Sequence, residues 1–389
     1  MGLMGQDAFE FGVNLGKLLI FFLMMIQAVP LLVWVERRGS AFIQRRFGPN
    51  RVGPLGLFQL LADAIKFIFK ESFIPQHAVK FLFLSAPVIA LIPAALSFTA
   101  LPLSSPVQVD AFEWLGSTWG PYNFQFRGID MDIGIIYILG IGSLGAYGVL
   151  VAGWASGNKY SMLGAMRASA QMISYELALG LSIVGILMLY GTFDLPAMVT
   201  AQEGPLRFIW DGSEHYVSWL PNWGIFFQPL GALLFFIAAF AESNRLPFDL
   251  PESEGEIVAG FHTEYGGFKM LIFFMGEYGH MMVASGLFII FYLGGYYIPF
   301  VPESDIYNGF LKSELFGTPT LASLMTALVQ HLCFLAKLAV LLWVFVWVRW
   351  TLPRFRYDRL MDLGWKTMLP WALGNTFLTA IIVYFARRG

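Results

Sequence analysis

Long apolar runs alternate with short polar connections along the whole chain. A membrane-crossing helix needs roughly 20 mostly apolar residues. The pattern predicts about eight such spans, at 13–35, 80–102, 131–154, 170–190, 225–243, 270–298, 322–349 and 367–386. The sixth is long enough to tilt, kink or break. Repeated segments of about ten residues with alternating hydrophobicity are missing, which argues against a transmembrane β-barrel. The expected fold class is an all-α polytopic membrane protein, with one transmembrane domain over 1–389.

Residues 57–71, LFQLLADAIKFIFKE, break the pattern. Gln59, Asp63, Lys66 and Lys70 recur at helical spacing, and Phe58, Leu61, Ile65, Ile68 and Phe69 make an apolar face. Too short and too charged to span, this run predicts an amphipathic helix lying in the interface. Docking on a soluble partner is the alternative.

Lys and Arg set the orientation. The connection after the first span holds Arg37, Arg38, Arg45, Arg46, Arg51, Lys66 and Lys70, and the seventh holds Arg349, Arg354, Arg356, Arg359 and Lys366. The third adds Lys159 and Arg167, and the fifth Arg245 and Lys269. The even connections offer only Arg127, Arg207 and Lys312, although Arg387 and Arg388 at the C-terminus oppose the trend. Both termini are therefore expected on the periplasmic or intermembrane side. Asp7 and Glu10 precede the first run, where a secretory signal would carry basic residues. Trp, Tyr and Pro enrich the outer connections 103–130 and 191–224, and interfacial anchoring accounts for many of the aromatics.

Composition agrees: 57% of residues are hydrophobic and 13% charged, against about 25% charged in soluble domains. The net charge of −2 gives no field that would recruit nucleic acid. A single cysteine, Cys333, excludes an internal disulfide and a cysteine-ligated iron–sulfur cluster. Gly140, Gly142 and Gly145 spell GxGxxG, but within a predicted span, where small residues serve close helix packing rather than a dinucleotide.

Ionisable residues inside spans carry the sharper signal. Glu176, Glu242 and Glu277 fall within or at the ends of spans 4, 5 and 6, and His331 and Lys337 within span 7. A charge at the bilayer centre costs about 2.5–3.5 kcal/mol on insertion scales, and proton relays use such residues. For Glu242 a structural pair with nearby Arg245 is the competing reading. The connection AESNRLPFDLPESEGEIVAGFHTEYGGF adds Asp249, Glu252, Glu254, Glu256 and Glu264. Pro247 and Pro251 argue against a regular helix there. The two-residue spacing of Glu252, Glu254 and Glu256 would line one wall of an extended segment. Crowded carboxylates hold and pass protons near neutral pH; a solvated acidic loop is the bland reading. The basic loop VERRGSAFIQRRFGPNRVGPLG is its counterpart, able to pair with the acidic loop, bind anionic lipid or meet an acidic partner.

WVERRGSAFIQRRFGPNRVGPLGLFQLLADAIKFIFKE, YSMLGAMRASAQMISYELALG, AESNRLPFDLPESEGEIVAGFHTEYGGFKM and TLPRFRYDRLMDLGWK resemble, in order, the signature stretches of the quinone-chamber membrane subunit of respiratory complex I, called subunit 1 or the H-type subunit. The resemblance covers nearly the whole chain. It implies a subunit of a proton-pumping NADH:quinone oxidoreductase in a bacterial plasma or mitochondrial inner membrane. Quinone would enter from lipid as substrate, while FMN and iron–sulfur clusters belong to partner subunits and this chain holds no cofactor or metal. The implied partners are the 49 kDa-type subunit, the terminal-cluster subunit, small membrane subunits and antiporter-like subunits. Matched residue by residue, Glu176, Glu242, Asp249, Glu252, Glu254, Glu256, Glu264 and Glu277 fall on the family's acidic path. Arg37, Arg38, Arg45, Arg46, Phe47 and Arg51 fall near the quinone access and the arm-facing loop. Leu60 stands where many members have Pro, Arg359 where Gln is usual, and the outer connections look longer than in compact members. Rival readings are a sister complex (a membrane-bound hydrogenase, or a ferredoxin- or F420H2-linked dehydrogenase), a passive scaffold and an independent ion channel.

Overall fold

The computed structural model describes all residues except 1, 115–116, 120, 211–212, 251–256, 314–316 and 389. Seven helices among the described residues are long and apolar enough to cross a membrane. The first, α1 (Gly2–Ile43), runs through Pro30 and past the predicted end of its span. At 1.5 Å per residue it is about 63 Å long, so Glu36, Arg37 and Arg38 ride on a helical extension instead of in a loop. The chain leaves the helix just before Gly48 and Pro49. The amphipathic element follows as α2 (Gln59–Phe69), with Leu61, Ile65, Ile68 and Phe69 exposed.

The bundle continues with α3 (Lys80–Thr99) and then α4 (Gly134–Gly142) and α5 (Leu144–Ala155), which together make the third span. Next comes α6 (Lys159–Tyr190), eleven residues longer at its start than the predicted span 170–190. Its start is fixed by Asn158, whose side chain accepts from the Tyr160 amide, and its end by Gly191 at φ 69°. The predicted fifth span is a broken pair, α8 (Gly224–Phe227) and α9 (Pro229–Glu242), after the short α7 (Leu195–Thr200). At 14 residues α9 is about 21 Å long, short of the ~30 Å apolar core. Protein groups cover the break at Gln228. Its side chain donates to Thr379 Oγ1 at 2.5 Å and accepts from Asn375 Nδ2 at 2.8 Å. The remaining spans are α10 (Phe268–Tyr292), α12 (Pro319–Thr351), and α13 (Tyr357–Asp362), which leads through a wide turn into α14 (Leu369–Arg388); α11 (Glu303–Leu311) caps one end.

The aromatic-rich connections are more ordered than anchoring predicts. Strands β1 (Val107–Val109), β2 (Phe112–Trp114), β3 (Ser117–Trp119) and β4 (Tyr122–Phe124) make two antiparallel two-stranded sheets, β1 with β4 and β2 with β3. A third two-stranded sheet pairs β5 (Pro205–Trp210) with β6 (Ser213–Pro221).

The main core lies between α1, α3, α6, α9, α10 and α12, around Met25, Phe98, Ile183, Phe235, Ile290 and Phe345. A smaller one, around Phe83, Ala165, Phe261 and Phe273, seats the acidic connection against the bundle. The bundle's outer faces expose Leu19, Val340, Phe377 and Ile381, as lipid contact requires.

Candidate functional site

Three carboxylates from three helices converge on α9's C-terminal end. A cavity of about 20 Å³ is lined by Glu176 of α6, Glu242 of α9, Ser97 of α3 and His280 of α10. A neighbouring cavity, also of about 20 Å³, is lined by Glu242, Glu277 and His280, with Asn244 and Gly145. Glu242 and His280 border both. Each cavity has room for about one or two ordered waters. Gly142 borders the first cavity, where a Cβ would stand 4.0 Å from Glu242 Oε1, and Gly145 borders the second.

Gln171 of α6 fixes the chain on the far side of Glu242. Its Nε2 lies 2.7 Å from the Ala241 carbonyl, 2.8 Å from that of Phe248 and 3.3 Å from Asn244 Oδ1. Beyond it, Asp249 pairs with Arg354 at 3.1 Å, and the Phe355 amide donates to the Pro247 carbonyl. The TLPRFRYDR stretch thus backs the acidic connection. Glu264 accepts from Asn158 Nδ2 at 2.7 Å, tying the same connection to the start of α6. Neither Asp249 nor Glu264 lines the two cavities. Glu252, Glu254 and Glu256, and with them the expected extended wall, lie outside the described residues.

Glu277 faces His262, 3.8 Å away, on the turn Gly260–His262. Burial pushes the His262 imidazole down to about 4, so it is neutral at pH 7. Phe261, Phe273 and Phe274 pack around its ring.

A second polar cluster centres on Glu36, a residue that pattern reading passes over. Its carboxylate accepts from the Tyr278 hydroxyl and from Arg349, and Arg245 Nη1 lies 3.9 Å away. The Arg245 guanidinium also sits 4.0 Å above the Tyr278 ring. The cluster ties together α1, the acidic connection, α10 and α12. The sequence set Arg245 against nearby Glu242; the structure places it beside Glu36.

The basic residues divide. Arg37 binds Asp63 on α2, and Arg38 donates to the Leu55 carbonyl at 3.2 Å and lies over Trp34. Arg37 ties the amphipathic helix to α1, and Arg38 ties the turn that precedes it. Arg45, Arg46, Arg51 and Phe47 are exposed, Phe47 by 93%.

Lys337 has a structural role. Its ammonium donates to the carbonyls of Leu293, Gly295 and Tyr297, each at 2.8 Å, where α10 ends. His331 packs edge-on against Phe126. The glycine triplet lies across the α4–α5 junction, in helix; of the three, Gly145 packs closely, against His280, while Gly140 has nothing within 4 Å of where a Cβ would stand. Among the described residues no group of three or more His, Cys, Asp or Glu side chains is placed to hold a metal.

Comparison with known proteins gives the family. The NADH dehydrogenase family profile matches residues 16–380. The H-type subunit of the NADH-quinone oxidoreductase of Bdellovibrio bacteriovorus is 63% identical over 383 residues, covering 98% of this chain and 99% of that one. An H-type subunit of the Koribacter versatilis enzyme is 40% identical, covering 98% and 99%. Subunit 8 of the Rhodothermus marinus enzyme is 41% identical, covering 92% and 93%. The chain belongs to the NADH dehydrogenase family, as the subunit 1 (H-type) membrane chain of the complex I enzyme NADH-quinone oxidoreductase.

Proposed function

We propose that this chain forms the quinone access and binding chamber of the enzyme and the start of an acidic proton path toward its membrane arm. The observation that carries the path is the pair of water-sized cavities sharing Glu242, which sets Glu176, Glu242 and Glu277 in series. Water between carboxylates is how a proton crosses a gap too wide for a direct hydrogen bond.

The chemistry at the quinone asks for such a path. Reducing quinone to quinol takes two electrons and two protons. Electrons arrive from NADH through FMN and iron–sulfur clusters borne by partner chains. Charge appearing at the headgroup shifts the proton affinity of nearby carboxylates. The Glu36 cluster, one residue along α10 from Glu277, connects α1 and α12 to that series. Arg45, Arg46, Phe47 and Arg51 present an exposed basic loop that suits the 49 kDa-type and terminal-cluster subunits. The apolar face of α2 suits lipid at the mouth where quinone enters. Antiporter-like and small membrane subunits would continue the series. Both termini then lie on the outer side of a bacterial plasma membrane, the whole chain is one transmembrane domain, and 244–269 is its acidic connection.

The test is Glu242→Gln in the assembled complex. NADH oxidation by an artificial acceptor reports the redox arm alone. Relative to it, quinone-coupled proton translocation should fall at least about tenfold. Full translocation would leave the chain as a scaffold.

A further inference from the structure

His280 belongs to none of the sequence motifs that mark the acidic series, yet it stands at the junction of both cavities. It follows Glu277 by three residues on α10, so the two share a helix face. Its Nε2 is buried with no hydrogen-bond partner among the described residues. Ser97 Oγ, on the wall of the first cavity, is in the same condition. A buried polar atom left unpartnered is costly, and two such atoms beside a water-sized space mark a place for ordered water. Gly145 keeps that space open, since a Cβ there would lie 2.8 Å from His280 Nε2.

The ionisable groups around the ring are Glu176 from α6, Glu242 from α9 and Glu277 from its own helix; α3, α4 and α5 bring none to the cavity walls. An imidazole ringed by carboxylates, with one buried nitrogen left without a hydrogen bond beside two cavities, is suited to take and return a proton.

We propose that His280 is a proton-carrying residue, joined through water at Nε2 to Glu277 on one side and to Glu242, and with Ser97 to Glu176, on the other. The proposal rests on the acidic series above. In one transfer a proton leaves the Glu277 carboxyl through water and is taken up at Nε2. The imidazolium returns it through water to the Glu242 carboxylate. The ring ends as it began and no electrons move. Glu242 also borders both cavities, but alone it must discharge before accepting again. A second acceptor at the same junction lets one cavity load while the other empties.

The test reconstitutes the whole complex in liposomes and measures proton translocation per NADH with quinone as acceptor, normalised to NADH oxidation by an artificial acceptor. Wild type is compared with His280→Asn, which still binds water but takes no proton, with Gly145→Ala, which crowds the water, and with Glu242→Gln. The expected result is at least about a tenfold loss in His280→Asn and a clear loss in Gly145→Ala. If Glu242→Gln abolishes translocation while His280→Asn keeps it, the role of His280 is overturned and the series survives. If Glu242→Gln translocates normally, the series fails and His280 with it. Should His280→Asn fail to assemble, a high-resolution density map of the wild-type complex decides. A water peak at about 3 Å from Nε2 supports the proposal, and a dry nitrogen overturns it.

Discussion

Glu277 and Tyr278 are neighbours on α10 but face different polar groups. Glu277 looks toward His262 and the second cavity, while the Tyr278 hydroxyl donates to Glu36. Successive helical residues point about 100° apart, so one turn of α10 joins the Glu36 cluster to the acidic series.

Glu36→Gln removes the carboxylate on which Arg349 and Tyr278 converge. Breaking a partly buried pair costs up to about 3 kcal/mol, because the partner charge stays behind. Tyr278→Phe loses one hydrogen bond to a charged group, about 2 kcal/mol. The midpoint for thermal loss of quinone-coupled turnover should fall in the order wild type, Tyr278→Phe, Glu36→Gln. Equal midpoints would mean that the cluster holds nothing together.

His262 makes stability depend on pH. Its folded value of about 4 lies below the 6.5 of the exposed ring, so the unfolded chain binds the proton first. This contribution is complete above about pH 6.5 and drains away as pH falls toward 4. At most about 3 kcal/mol is at stake. His262→Gln should flatten the pH dependence of thermal inactivation between pH 6.5 and 4.5, once the nearby Glu277 carboxylate is accounted for by Glu277→Gln in the same background. An unchanged slope would remove His262 as its source.

Gly164 sets how closely the acidic connection approaches α6. A Cβ there would lie 2.6 Å from Gly260 Cα, and backbone does not yield as a flexible side-chain end does. Gly164→Ala should cost about 1–3 kcal/mol by pushing away the turn that carries His262. Hydrogen exchange at 260–265 should speed up while the amides in the middle of α3 stay protected. Unchanged exchange at that turn would show that it accommodates the methyl.

The membrane class, most spans, the amphipathic helix and the Glu176, Glu242 and Glu277 series are legible because each rests on a local signal, a run, a period or a charge inside a run. What the sequence hides is long-range. Glu36 and Arg349 are 313 residues apart, and no local pattern links them. The extension of α1 escapes notice because Glu36, Arg37 and Arg38 read as the end of a membrane run, although nothing there stops a helix. The two-stranded sheets of 107–124 and 205–221 are too short and too rich in aromatics for alternation to stand out. His280 looks like an ordinary core histidine until the cavities on both sides of it are seen.

Lys337 shows why a charge inside a span need not be functional. An ammonium carries three donors and no acceptor, and here it is within hydrogen-bond reach of the three carbonyls of Leu293, Gly295 and Tyr297. Those carbonyls are left over where α10 ends and Gly294 and Gly295 turn the chain at φ 71° and 54°. Lys337→Met keeps the length and apolar stem but leaves the acceptors unpaired, at about 1–3 kcal/mol each where water does not reach them. Lys337→Arg keeps the charge, but its planar fork does not match acceptors gathered around one point. Both variants should lower the yield of assembled complex, whereas translocation per NADH in the complex that does assemble should equal wild type. Full assembly with lost translocation would move Lys337 from the architecture of the turn to the proton path.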